Sequence, residues 1–224
     1  MARISQQTIG EAAAAAGTPS TIAAATTAGD GTAEDTKLVF DGNELDFRVG
    51  IDDGSNTLEI GKGNAHGTTA HMIFDTNGII RQPLQPAFHV RSPGRSNIAH
   101  NTTNVVETLN NEIIDTNGDF DTSNYTFTAP VTGSYMLAGF VRWGTIVNSY
   151  DYYNAFVVTS NRNHEVMIHE FPDNVAYYGT GSAVVADMDA ADTAVLKVFI
   201  SHSGSGNTNS DIGGVTKLCG YLIG

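Results

Sequence analysis

From Thr36 onward the chain alternates apolar and polar positions with a period of two, interrupted every few residues by turn-forming pairs. "KLVF" runs into Asp41-Gly42 and "ELDFRVGI" into Asp52 to Gly54. "TLEIG" and "HMIFD" follow, then Asn77-Gly78 and "IIRQP". Asp-Gly and Asn-Gly supply the positive-φ positions of tight hairpins. The pattern therefore predicts short antiparallel strands across residues 36–84. Strands of roughly five residues enclose little core by themselves. This segment reads as a collar or shaft that is stable mainly when copies associate.

Over residues 85–224 the strands lengthen and the aromatics concentrate. "AFHV", "NVVETL", "NYTFTA", "GSYMLAGFVRW", "YNAFVVTS", "EVMIHEF", "GSAVVADM", "TAVLKVFISH" and "TKLCGYLI" read as strands. With turn punctuation between them and no helical period, they predict an antiparallel sandwich, so the fold class is all-β. One strand is unusual. After the turn "APVTG", Tyr135, Leu137, Gly139, Val141 and Trp143 share one face, while Met136, Ala138 and Phe140 share the other. A strand with one wet face alternates apolar with polar, so each face here calls for its own cover: the facing sheet and another subunit. The closing strand repeats the pattern, with Leu218 and Leu222 on one side and Cys219, Tyr221 and Ile223 on the other.

Residues 1–35 are different again. They are rich in Ala, Thr and Gly and nearly without large apolar groups, too few to fold an independent core. They read as an extended arm ordered by docking, with a short helix over Gln6 to Ala16 ended by Gly17 and Pro19. The "EAAAAAG" run lacks the basic and apolar regions of a cleaved signal peptide, so none is expected.

The composition narrows the partners. Twenty-four acidic residues against 11 basic ones give a net charge of -13, which disfavours nucleic acid and anionic membrane. No run approaches the roughly 20 apolar residues of a membrane span. The single cysteine, Cys219, permits no intrachain disulfide and lies in the apolar run "KLCGYLI", as a buried inert thiol would.

Catalytic constellations are not found: no G-x-S-x-G, H-E-x-x-H, P-loop or Cys-based zinc spacing occurs. The chain is expected to be no enzyme and to carry no cofactor. His164 and His169, five apart on a strand, are expected on opposite faces; His66 and His71 lie in the collar. Asp115, Asp119 and Asp121 form an oxygen-rich loop, "DTNGDFD", that is a weak calcium candidate, and "DMDAAD" reads as a turn. For receptor contact the candidates are Tyr150, Tyr152 and Tyr153 in "NSYDYYN", with "SGSGNTNSD" (Ser203 to Asp211) as a second exposed loop.

The spacing of Leu109, Asp115, Phe120, Phe127, Gly133, Tyr135 and Leu137 resembles the aromatic signature of the complement C1q-like domain, a relative of the tumour necrosis factor jelly roll. "GSAVVADMDAADTAVLKV", with Asp192 at the Asp of the family's "GD" turn, and "TKLCGYLI", similar to its closing "FSGFLL" strand, match in order. Leu109, Leu137 and Gly139 stand where the family has aromatics, and no collagen repeat precedes the domain. The resemblance implies a ten-stranded jelly roll packed as a homotrimer. Phe127, Tyr135, Leu137 and Tyr221 would lie in the protomer core, and Met136, Ala138 and Phe140 at the trimer interface. "MIFDTNGIIRQPLQPAFHV" is similar to the entry into the head domain of tailed-phage fibre and appendage proteins. Together these imply a structural virion protein whose arm, residues 1–35, docks onto capsid or tail proteins. The knob would meet a host-surface glycan or protein. A free trimeric carbohydrate- or protein-recognition module is the alternative.

Overall fold

The computed structural model describes residues 28–203 and 210–224. The helix expected over Gln6 to Ala16 and the middle of the Ser203–Asp211 loop lie outside the described residues. All regular elements among those described are strands, paired antiparallel throughout. Two compact units divide between Arg81 and Gln82.

In the first unit β1 (Thr36–Phe40), β2 (Phe47–Asp52), β3 (Thr57–Lys62), β4 (Ala70–Phe74) and β5 (Ile80–Arg81) form one sheet in sequence order. The turns follow from local chemistry. Asn56 and Gly78 take positive φ, and the Asp75 carboxylate accepts the N–H groups of Asn77 and Ile79, closing the last hairpin. Residues paired directly across the strands share a face. Leu38, Val49, Ile60 and Met72 therefore make one apolar row, and Ile51, Leu58, Phe74 and Ile80 the next.

The opposite face is polar and closed by the 63–69 loop. Arg48 and Glu59 are buried there, their Nη2 and Oε2 3.0 Å apart. Arg48 also donates to the Lys62 carbonyl at 2.6 Å. The Gly67 N–H donates to Glu59 at 3.1 Å, and His66 Nδ1 lies 3.3 Å from both the Glu59 carboxylate and Arg48 Nε.

The second unit contains β6 (Ala87–Arg91), β7 (Asn104–Val105), β8 (Asn111–Asp115), β9 (Phe120–Asp121), β10 (Thr126–Thr128) and β11 (Gly133–Ile146). β12 (Tyr152–Thr159), β13 (Asn163–His169), β14 (Val175–Met188), β15 (Thr193–Ser201), β16 (Asp211–Ile212) and β17 (Lys217–Leu222) complete it. One sheet runs β13-β12-β15-β10-β9 with β7 beside β15; the other runs β14-β11-β17-β6-β8 with β16 beside β11. The chain passes repeatedly from one sheet to the other, the topology of a jelly roll.

The core lies between the sheets. Phe127 stacks on Phe88 at 4.4 Å and meets Tyr135 edge-on at 5.6 Å. Further along, Trp143 meets Tyr153 edge-on at 5.1 Å and donates its indole N–H to Met167 Sδ. Two boundaries depart from the strands read above. "NVVETL" pairs only at Asn104 and Val105 before Val106 and Leu109 turn into the core. "GSAVVADM" is the second half of β14, which begins at Val175.

Candidate functional site

The long central strand β11 separates two environments residue by residue. Tyr135, Leu137, Val141 and Trp143 are fully buried between the sheets, and Tyr135 donates its hydroxyl to the Val131 carbonyl at 2.8 Å, anchoring the turn before the strand. Met136, Ala138 and Phe140 stand on the outer side, each partly exposed. In register with them on β14 are Val185, Ala183 and Gly181, and on β17 Tyr221, Cys219 and Lys217. Next on β6 come Ala87, His89 and Arg91. The outer face of this sheet is thus apolar at its centre.

Small residues shape that face. A Cβ on Gly179 would lie 2.8 Å from Phe140 Cζ, so the Phe140 ring lies across the glycine backbone of β14. Lys217 Nζ is 5.6 Å from the centre of the same ring, and the Arg142 guanidinium sits 5.2 Å from the Tyr177 ring. Tyr177 and Val185 are 68% and 60% exposed, far beyond what large apolar side chains on a sheet centre show when covered. Burial, and then the Lys217 and Arg91 charges, hold the His89 imidazole below its ordinary range. Burial pushes the Cys219 thiol up, which suppresses thiolate chemistry.

Several expected sites are placed differently. Tyr221 is not in the protomer core: it is 49% exposed on the outer face, because its partners across the strands are Met136 and Ala87. Tyr150 and Tyr153 do not form a contact loop. Tyr153 is fully buried, its hydroxyl 2.7 Å from Ser210 Oγ and accepting the Val147 N–H. Tyr150 packs edge-on against Tyr153 and His202. Of the three, Tyr152 alone is partly exposed. Phe127, Tyr135 and Leu137 lie in the core.

The acidic loop is a structural turn. Asp115 accepts the N–H groups of Asp119 and Phe120, and Asp121 accepts both the N–H and the hydroxyl of Ser123. Burial, with the Asp115 charge, pushes the Asp119 carboxyl up. The turn at "DMDAAD" is likewise internal, with Asp192 accepting from the Asp189 N–H, Ser160 and Asn161. Among the described residues no group of three or more His, Cys, Asp or Glu could hold a metal ion.

His164 and His169 share a face, contrary to simple alternation, because a bulge between Ala155 and Phe156 shifts the register of β13. They occupy opposite ends of the strand, and His169 stacks on Tyr178 at 4.7 Å. His66 supports the buried pair of the first unit, and His71 meets Phe47 edge-on.

Sequence reasoning missed Val185, Tyr177 and His89 as members of the outer face. The signal for Val185 was present, since "SAVVAD" places it opposite the buried Ala186. For Tyr177 there was none, because the glycines after it read as a turn.

No protein-family model matches the chain, and no curated protein matches it. Solved structures do. The globular domain of zebrafish complement 1qA is 18% identical, with 62% of this chain and 98% of that one covered, at a TM-score of 0.48. Eiger TNF from S. frugiperda is 10% identical over 62% and 93% of the two chains, at 0.44. Murine APRIL is 16% identical over 62% and 99%, at 0.42.

Proposed function

We propose that this chain is a non-enzymatic, homotrimeric structural protein of a phage particle, with an N-terminal anchoring arm, a β collar and a jelly-roll knob for attachment to the host surface. The observation that carries the reading is the outer face of β14-β11-β17-β6. Met136, Phe140, Val185 and Tyr221 stand together there around Ala138 and Ala183, on a sheet whose other side is already filled. Exposed apolar patches of this kind mark association surfaces. Small residues beside one aromatic ring let a neighbouring copy approach closely.

The resemblance of Leu109 to Leu137 and of "TKLCGYLI" to the C1q-like signature supports three copies rather than two. The run "MIFDTNGIIRQPLQPAFHV" supports a virion setting. On this reading the function is multivalent: three weak sites on one rigid head bind a repetitive surface far more tightly than one.

Light scattering on the purified chain tests the trimer, and Phe140→Asp is expected to yield monomers. A variant that stays trimeric would overturn the interface. Mass spectrometry of purified particles tests the setting. A trimer absent from particles would belong instead to a free carbohydrate- or protein-recognition module.

A further inference from the structure

The first unit is a single sheet with one finished face. Its polar side is closed by the 63–69 loop over Arg48 and Glu59, whereas Leu38, Phe40 and Ile80 on the other side are more than half exposed. Phe47, Ile51 and Ile60 beside them are about two-fifths exposed. A sheet with one apolar face is stable only when a second layer buries it. No second layer occurs among the described residues of this unit, so the cover must be present whenever the chain folds.

Two constitutive covers exist: the arm of the same chain, or other copies of the sheet. Residues 1–27 contain only Met1, Ile4, Ile9 and Ile22 as large apolar side chains, too few to cover two apolar rows. The charge pattern favours copies. The apolar face bears no carboxylate: Asp52 and Glu59 lie on the closed side, in register with Thr57 and Gly50, and Glu34, Asp35, Asp41, Glu44, Asp46, Asp53 and Asp75 lie before β1 or in the connections between strands. In a chain of net charge -13, this is a surface on which like-charged copies meet without opposing carboxylates. Only the five residues 82–86 separate β5 from β6. Copies joined by their heads would therefore hold their first units at high effective concentration. This last step rests on the trimer proposed above.

We propose that the first unit is a second self-association surface, in which the apolar rows of the three copies pack against one another and bury Leu38, Ile60 and their neighbours. The test uses the full chain with Cys219→Ser. Ile60→Cys, treated with a short bismaleimide in dilute solution, is expected to give covalent dimers. Lys37→Cys, on the reverse face, is expected to remain single.

A chain that is trimeric by light scattering but does not cross-link through Ile60→Cys overturns this inference and leaves the head trimer standing. A chain with Cys219 intact that is monomeric by light scattering overturns both. Hydrogen exchange supplies a second measurement. Ile60→Asp is expected to strip protection from β2 and β3 by at least about tenfold while β11 stays protected. Unchanged protection overturns the inference. If deleting residues 1–27 strips the same protection, the arm is the cover and the inference fails. It also fails if β2 and β3 are protected only in particle-bound protein, because a virion partner is then the cover.

Discussion

Arg48→Ala would remove one half of a buried ion pair and leave the other in place. Arg48 is wholly buried and Glu59 only 2% exposed. The variant therefore leaves a carboxylate under the 63–69 loop with the Gly67 N–H and His66 as its remaining partners. Breaking a buried pair in this way costs about 3–5 kcal/mol. At 1.4 kcal/mol per tenfold, amide protection in β2 and β3 should fall by roughly 100- to 4,000-fold where exchange follows opening of the unit. Hydrogen exchange with mass spectrometry over residues 47–62 reads this directly. Trp143, the single tryptophan, lies in the jelly-roll core, so its fluorescence should not change.

The double variant Arg48→Met, Glu59→Leu removes both desolvation costs and should regain most of the protection. The pH dependence has a definite sign. Burial pushes the Glu59 carboxyl up, but the Gly67 N–H, Arg48 and His66 outweigh it and hold the group below its ordinary value of 4.5. Its contribution is therefore complete above that value and is lost as pH falls through the lower folded value. If Arg48→Ala leaves protection in β2 and β3 within about threefold of the parent, the pair does not organise the sheet and the reasoning is wrong.

Three further outcomes follow from the second unit. Gly220→Ala would place a Cβ 2.8 Å from the Met136 carbonyl oxygen and 2.9 Å from the Phe88 ring. It should cost about 2–3 kcal/mol in denaturant unfolding followed by Trp143 fluorescence. Ala191 holds a φ of 75°, so Ala191→Gly should relieve left-handed strain and stabilise the head by about 0.5–1 kcal/mol; a loss of stability would contradict the strain. His89 is held below its ordinary value, so the unfolded chain binds the proton more readily. Stability is therefore complete above about pH 6.5 and falls on acidification towards the folded value. His89→Asn should flatten that part of the thermal stability profile, and an identical profile in both proteins would exclude His89 as its source.

What could be read from the sequence is largely what side-chain alternation and turn chemistry encode. Thr57 to Lys62 alternates buried and exposed at every step, and the jelly-roll strands from Thr126 to Ser201 follow the apolar runs. The C1q-like spacing also has a physical basis: Leu109, Phe120, Phe127, Tyr135 and Leu137 are all core residues, and Asp115 fixes the turn between two of them. The matching glycine of the closing strand, Gly220, is required by the approach of Met136 and Phe88. Gly139, which stands where the C1q-like pattern has an aromatic, has Leu196 and Val157 within about 3 Å of a Cβ position, so no room is left for a ring.

The illegible parts depended on contacts distant in sequence. β8, "NEIID", looks like a loop because its apolar residues face outward at Ile113 and Ile114, and only pairing with β6 makes it a strand. The first half of β14 contains Gly179 and Gly181, a turn signal, yet Gly179 accommodates the Phe140 ring and Gly181 the close approach of the Gly139–Phe140 backbone. Tyr150 and Tyr153 sit in a polar stretch that suggests a surface loop. The burial of Tyr153 is decided by Trp143, Phe171 and Ser210, and Tyr150 packs against Tyr153, His100 and His202, most of them distant in sequence.

The position of β17 has a consequence for synthesis. It lies between β11 and β6, pairing Lys217 with Arg91 and Tyr221 with Ala87. The strand that opens the jelly roll therefore waits for the last one, β17, before it joins the sheet that holds β11. While the ribosome is still adding β12 to β16, β6 has β8 on one side and an unsatisfied edge on the other. Such long-range closure is slow, and nascent heads on neighbouring ribosomes would be able to exchange that edge strand. The first unit has only neighbouring-strand pairings, but on the proposal above its apolar face waits for other copies, so the order of assembly would run from head to first unit, against the direction of translation.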